Sequence, residues 1–167
     1  MEAKHFKLGK DTRIEMKDIP ISKPVELAVT RMKRDMDRVL KNTGTCTVIR
    51  LLQAPMGNEE YEISFPGQEQ AQDIMVIAAG GDLGFVYGLL FLSEKWLGIT
   101  PFWFWNDQKL ARKETVVIPK KTIPSPESYV KYRGWFINDE VLISTWNING
   151  ENEIVWEMVF EALLRLG

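Results

Sequence analysis

The run Tyr132-Arg133-Gly134-Trp135-Phe136-Ile137-Asn138-Asp139-Glu140 constrains this chain more than any other. A mostly apolar, strand-like stretch ends in an amide and two carboxylates, and a helical pattern follows beyond Trp146, Asn147, Asn149 and Gly150. Acid and amide groups at the C-terminal end of a strand, ahead of a helix, are how a β/α barrel begins an active site. Only 27 residues follow Glu140, too few to close a barrel. The run is therefore expected to mark the edge of an enzyme and to carry part of a catalytic cluster.

Composition narrows the classes. With 167 residues the chain is expected to form one domain and a piece of a second. Lys plus Arg is 21 and Asp plus Glu is 23, a net charge of -2 that gives no support for nucleic-acid or polyanion binding. Four of the six Trp fall between Trp103 and Trp146, so aromatic weight gathers in the second half. Cys46 is the single cysteine, and Thr45, Thr47 and Val48 around it predict a buried strand thiol. His5 is the single histidine, near a terminus expected to be mobile. One His and one Cys assemble neither the usual zinc-ligand sets nor a plausible Ser-His-Asp triad, and no metal or cofactor is expected. No stretch reaches the ~18 apolar residues of a membrane span, so no membrane partner is expected. Met1 to Lys10 lacks the apolar core of a signal peptide. Localisation stays open between the cytoplasm and, if a leader has been removed, the periplasm or exterior.

Periodicity lays out the elements. His5 to Lys17 reads as short strands around Gly9-Lys10-Asp11. Val25, Ala28, Val29, Met32, Met36, Val39 and Leu40 recur at helical spacing behind Pro24, which suits a first helical turn. Strands are predicted at Cys46–Leu52, Tyr61–Phe65, Ile74–Ala79, Thr115–Pro119 and Tyr129–Ile137, with a polar connection over residues 68–73 and a Pro-containing linker over residues 120–127. A second helix carries Phe85, Leu89, Leu92 and Trp96 and contains Gly88, which predicts close packing on the sheet. A third carries Val155, Met158, Val159, Ala162, Leu163 and Leu166.

Three motifs carry potential chemistry. Gly80-Gly81-Asp82-Leu83-Gly84 sits between a strand and a helix, but the G-x-G-x-x-G spacing fails and Asp82 would repel phosphate. A tight turn with Asp82 capping the helix fits better. Pro101-Phe102-Trp103-Phe104-Trp105-Asn106-Asp107 could stack on sugar rings; if extended, it points aromatics to both faces, which favours burial. Asn138, Asp139 and Glu140 could be a solvated turn or a site. Adjacent strand residues face opposite ways, so Asp139 and Glu140 are not the carboxylate pair of a glycosidase. Asp139 shares a face with Arg133, Trp135 and Ile137, and a catalytic partner would come from elsewhere.

Gly81 to Gly88, Leu92-Ser93-Glu94, Gly98-Ile99-Thr100-Pro101 and Trp103 to Asp107 resemble the N-terminal domain of glycoside hydrolase family 115, the xylan α-1,2-glucuronidases. Tyr132-Arg133-Gly134 and Phe136 to Glu140 look like the start of that family's catalytic barrel. The Gly-x-x-Tyr-Gly of Gly84 to Gly88 is also similar to the accessory domain of β-hexosaminidases. The resemblance implies an α+β fold: a mixed β-sheet with two helices on one face over residues 1–127, then the first strand and helix of an incomplete (β/α)8 barrel over residues 128–167. It implies inverting removal of glucuronic acid, or its 4-O-methyl form, from xylan. Asp139 would be catalytic, with Asn138, Glu140 and Trp146 at the substrate. The fragment alone is expected to be inactive. The partner would be a polysaccharide or oligosaccharide met through the full-length enzyme, and the barrel-facing surface is expected to self-associate. The rival readings are a binding module using Trp103 or Trp105, and a structural domain that docks on a barrel.

Overall fold

The computed structural model describes residues 4–138 and 140–167, apart from the side chains of residues 140 and 142. In order, the chain forms β1 (His5–Leu8), β2 (Arg13–Met16), α1 (Lys23–Val39), β3 (Thr47–Gln53), β4 (Tyr61–Glu69), β5 (Gln72–Ala79) and α2 (Asp82–Leu92). A π turn (Ser93–Leu97), β6 (Val116–Pro119), β7 (Ile123–Pro124), α3 (Glu140–Thr145) and α4 (Glu153–Leu166) follow. The fold is mixed α+β. It divides into two compact units: the chain up to Ile99 with Lys109–Pro126, and Thr100–Gln108 with Glu127–Gly167.

In the larger unit the main sheet runs β2-β3-β5-β4-β7. Strands β2, β3 and β5 are parallel, while β4 pairs antiparallel with both β5 and β7. The apolar run of β5 fits its interior position between β3 and β4. Residues 68–73 are mostly ladder rather than a loose connection: Glu69 pairs with Gln72, and only Gln70 and Ala71 turn, at φ 48° and 65°. Two successive positive φ values give a hairpin turn whose twist matches the strands.

Ser22 accepts a hydrogen bond from the Val25 N–H at 3.4 Å to start α1, with Pro24 in its first turn. The predicted stripe of α1 is buried. Helix α2 packs on β4 and β5 and against α1. It is apolar on nearly every side, as suits a helix covered all round.

Strands β1 and β6 form a separate antiparallel ribbon. It buries Phe6, Leu8 and Ile118 completely. His5 is therefore held in a ladder opposite Pro119 rather than lying in a loose end. Residues 120–127 are not a plain linker either, since Ile123 and Pro124 pair with Ile63 and Glu62. Cys46 overturns its expected burial: it is exposed at φ 51°, because the chain is still turning there and the ladder begins at Thr47.

In the smaller unit α4 buries Val155 and Val159 against Ile143, with Ile137, Trp146, Ile148 and Trp156 packed around them. Helix α3 was not anticipated. The predicted strand Tyr129–Ile137 carries no ladder among the described residues. Extended chain is held by the N–H and C=O groups of a neighbouring strand. Here Arg133 supplies other ties: its Nε donates to the Gly167 carbonyl at 2.7 Å and its guanidinium also donates to Val130 O and Ser128 Oγ.

Candidate functional site

The candidate residues fall in the smaller unit. Asn138 is exposed in the chain just ahead of α3. Glu140 is the first residue of α3, so it opens a helix rather than continuing a strand. Asp139 lies outside the described residues, as does the side chain of Glu140. Strand alternation therefore does not set the face of Glu140. Trp146 is half-buried just beyond α3.

The aromatic run is not extended. Residues 101–107 turn repeatedly, with the Trp103 N–H on Thr100 O at 3.1 Å and the Trp105 N–H on Phe102 O at 2.9 Å. The turns gather rings that an extended chain would send to opposite sides. Phe104 stacks on Trp105 at 5.5 Å and on Trp146 at 6.4 Å between centroids. Trp105 also meets Trp135 and Trp146, each at 5.7 Å, and Phe102 meets Trp135 edge-on at 5.9 Å. These separations match favourable aromatic pairing. Burial is incomplete: Trp105 is 42% exposed and Trp135 40%. The cluster can pack as a structural core and still present ring faces.

Beside the Arg133 ties, two further polar devices among the described residues hold this unit, and sequence reasoning missed both. The Asn152 side-chain amide donates to Ile143 O at 2.8 Å and to Trp146 O at 2.5 Å, bracketing the end of α3. Its position just before α4 suggests an ordinary helix cap, yet its side chain makes no cap bond. On α4, Arg165 donates from Nε and a terminal nitrogen to Glu161 Oε1 at 2.9 and 2.8 Å, both side chains being nearly inaccessible. The Trp103 indole N–H points to the same oxygen at 3.5 Å. The i, i+4 spacing of Glu161 and Arg165 was a legible signal. Their burial was not.

The glycine turn is filled by the protein itself. A Cβ on Gly80 would lie 2.0 Å from Met56 O, and one on Gly84 2.3 Å from Glu60 O. The Gly84 N–H donates to Asn58 O at 2.9 Å, so a main-chain carbonyl takes a helix-start N–H that phosphate would use. Asp82 lies inside the first turn; the cap position is Gly81, without a side-chain bond, which corrects the expected Asp82 cap. Among the described residues no three His, Cys, Asp or Glu side chains gather in a metal-holding group.

Residues 125–167 match the model of Glycosyl hydrolase family 115. No curated protein sequence matches the chain. Among solved structures, a family GH115 4-O-methyl-α-glucuronidase with specificity for decorated arabinogalactans superposes with a TM-score of 0.70 at 23% identity, over 96% of this chain and 25% of that one. A GH20 β-N-acetylhexosaminidase from Streptomyces coelicolor A3(2) gives a TM-score of 0.49 at 16% identity, over 74% of this chain and 24% of that one. A Streptomyces plicatus β-hexosaminidase gives 0.46 at 16%, over 72% and 23%. The chain spans about a quarter of the length of these structures.

Proposed function

We propose that this chain is the N-terminal portion of a glycoside hydrolase of the family 115 kind, acting in full length on glucuronic acid side chains of xylan. The observation that carries the reading is a coincidence in sequence: the 43 residues matching the family model, 125–167, contain the Asn138–Glu140 run and the aromatic partners Trp135 and Trp146. In this reading residues 1–127 are the accessory domain and residues 128–167 the first β/α unit of a (β/α)8 barrel. Asp139 is catalytic, and Asn138, Glu140 and Trp146 meet the sugar. Residues 129–137 gain ladder partners when a barrel closes around them.

Exposure supports an incomplete neighbourhood for the smaller unit. Nine of the thirteen exposed large hydrophobic residues among the described residues lie there, including Tyr129, Tyr132, Phe136 and Phe160. Apolar surface of that density marks an interface. In the parent enzyme the rest of the barrel covers it; in the isolated chain a second copy does. Sedimentation of the 167-residue protein tests this, and a strictly monomeric, well-folded chain overturns the self-association.

The isolated chain is expected to be inactive, since a glycosidase needs a second carboxyl group across the scissile bond. The test is release of glucuronic acid or its 4-O-methyl form, assayed on glucuronoxylan and on a glucuronidated arabinogalactan. Measurable release by this chain from either polymer overturns the inactivity. The exposure of Trp105 and Trp135 favours one second reading, a carbohydrate-binding module. Xylo-oligosaccharide titration followed by Trp fluorescence decides it, and the absence of any saturable change removes it.

A further inference from the structure

We infer that Thr100–Gln108 is a closed aromatic clasp, through which the N-terminal part of the chain supplies a missing piece of the C-terminal unit. The chain leaves the larger unit after Ile99, contributes nine residues to the smaller one, and returns at Lys109. These residues form a loop closed at its base. Gln108 Oε1 accepts from the Thr100 N–H at 3.2 Å and from Thr100 Oγ1 at 3.1 Å, tying first residue to last. The Gln108 N–H returns to Trp103 O at 3.1 Å, and the Asn106 N–H donates to Phe102 O at 3.0 Å. Compact loops with joined ends and self-packed side chains behave as preformed units. Little ordering entropy then opposes docking.

The surface that receives the clasp is built from residues far along the chain. Trp135 meets Phe102 edge-on and Trp105 at a tilt, and Trp146 lies against Phe104 and Trp105. Trp103 Nε1 reaches Glu161 on α4. The remaining core of that unit is small: Ile143, Val155 and Val159 with four partly buried neighbours, and the buried Ala162 of α4. So few apolar residues hold α3 and α4 poorly without the added rings. The clasp also fixes Trp135 and Trp146, which stand on either side of the Asn138–Glu140 run in sequence. The inference rests on ring contacts and loop closure, and it holds or fails independently of any action on sugar.

Amide hydrogen exchange on the full chain tests it, with β3 and β5 as internal controls. In the double variant Phe102→Ala/Trp105→Ala, the amides of α4 are expected to exchange at least about tenfold faster while those of β3 and β5 stay unchanged. Gln108→Ala, which opens the base and leaves every ring in place, shifts α4 in the same direction by less. Unchanged α4 exchange in the double variant overturns the inference, as does an equal loss of protection in β3 and β5. Full α4 protection in Gln108→Ala overturns the closed base.

Discussion

Gly88 faces Ile77 so closely that a Cβ on the glycine would lie 2.8 Å from Ile77 Cγ2 and 3.4 Å from the Tyr61 ring. The missing side chain lets α2 settle on β5 and β4. Gly88→Ala brings two opposing effects: a helix-propensity gain of about 1 kcal/mol and an overpacking penalty of about 1–3 kcal/mol. Ile77 is β-branched and sits within a paired strand, so it yields little. The expected net loss is about 1 kcal/mol. Gly84→Ala meets the Glu60 carbonyl at 2.3 Å, and main chain must move. It is expected to lose about 3 kcal/mol. Urea denaturation of both variants checks the order, and a Gly84→Ala protein as stable as the parent would falsify the close-approach account.

Glu161 and Arg165 form a buried ion pair, and such pairs are more costly to break than to replace. Arg165→Met removes two hydrogen bonds from the Glu161 carboxylate and is expected to cost the smaller unit about 3 kcal/mol. The double change Glu161→Leu/Arg165→Met removes both charges together and is expected to recover most of that loss. Thermal melts read by near-ultraviolet circular dichroism follow the Trp-rich unit selectively. A double variant no more stable than Arg165→Met would show that Glu161 does its work through other groups.

The elements legible in the sequence were those whose burial follows a local period. Helices α1 and α4 declared themselves by apolar spacing, β5 by an apolar run bounded by polar and glycine residues, and Gly88 by its cost inside a helix. What stayed hidden depends on partners distant in the chain. Strand β1 finds β6 more than a hundred residues away. Strand β7 contains Pro124, which reads as linker chemistry; it is tolerated because the strand is at the sheet edge, where a missing N–H breaks little. The β4–β5 turn places Gln70 and Ala71 at positive φ, a region that neither residue advertises. At the candidate site, the apolar stretch ending in amide and acids drew attention to Asn138, Asp139 and Glu140, and the family resemblance added Trp146. Neither could show that residues 102–105 turn back to join Trp135 and Trp146, because that aromatic run reads equally well as strand or turn.

Tyr61 gives the fold an alkaline limit. Burial, which leaves the residue 5% exposed, pushes its phenol from an ordinary 10.0 up to about 12. The raised value means the folded state holds the proton more tightly than the unfolded state. The stabilisation is therefore complete below pH 10 and is lost as pH rises from 10 through about 12. The phenol lies at the end of a buried ring where water still screens it, so the shift is worth about 1–2 kcal/mol. Urea midpoints at pH 9 and pH 11.5 are expected to fall for the parent chain by more than for Tyr61→Phe. The variant keeps the ring against Phe91 and lacks the ionising oxygen. Lysine deprotonation affects both proteins alike, so the difference between the two slopes isolates the phenol. Identical slopes would mean that water reaches the Tyr61 hydroxyl as freely in the folded protein as in the unfolded one.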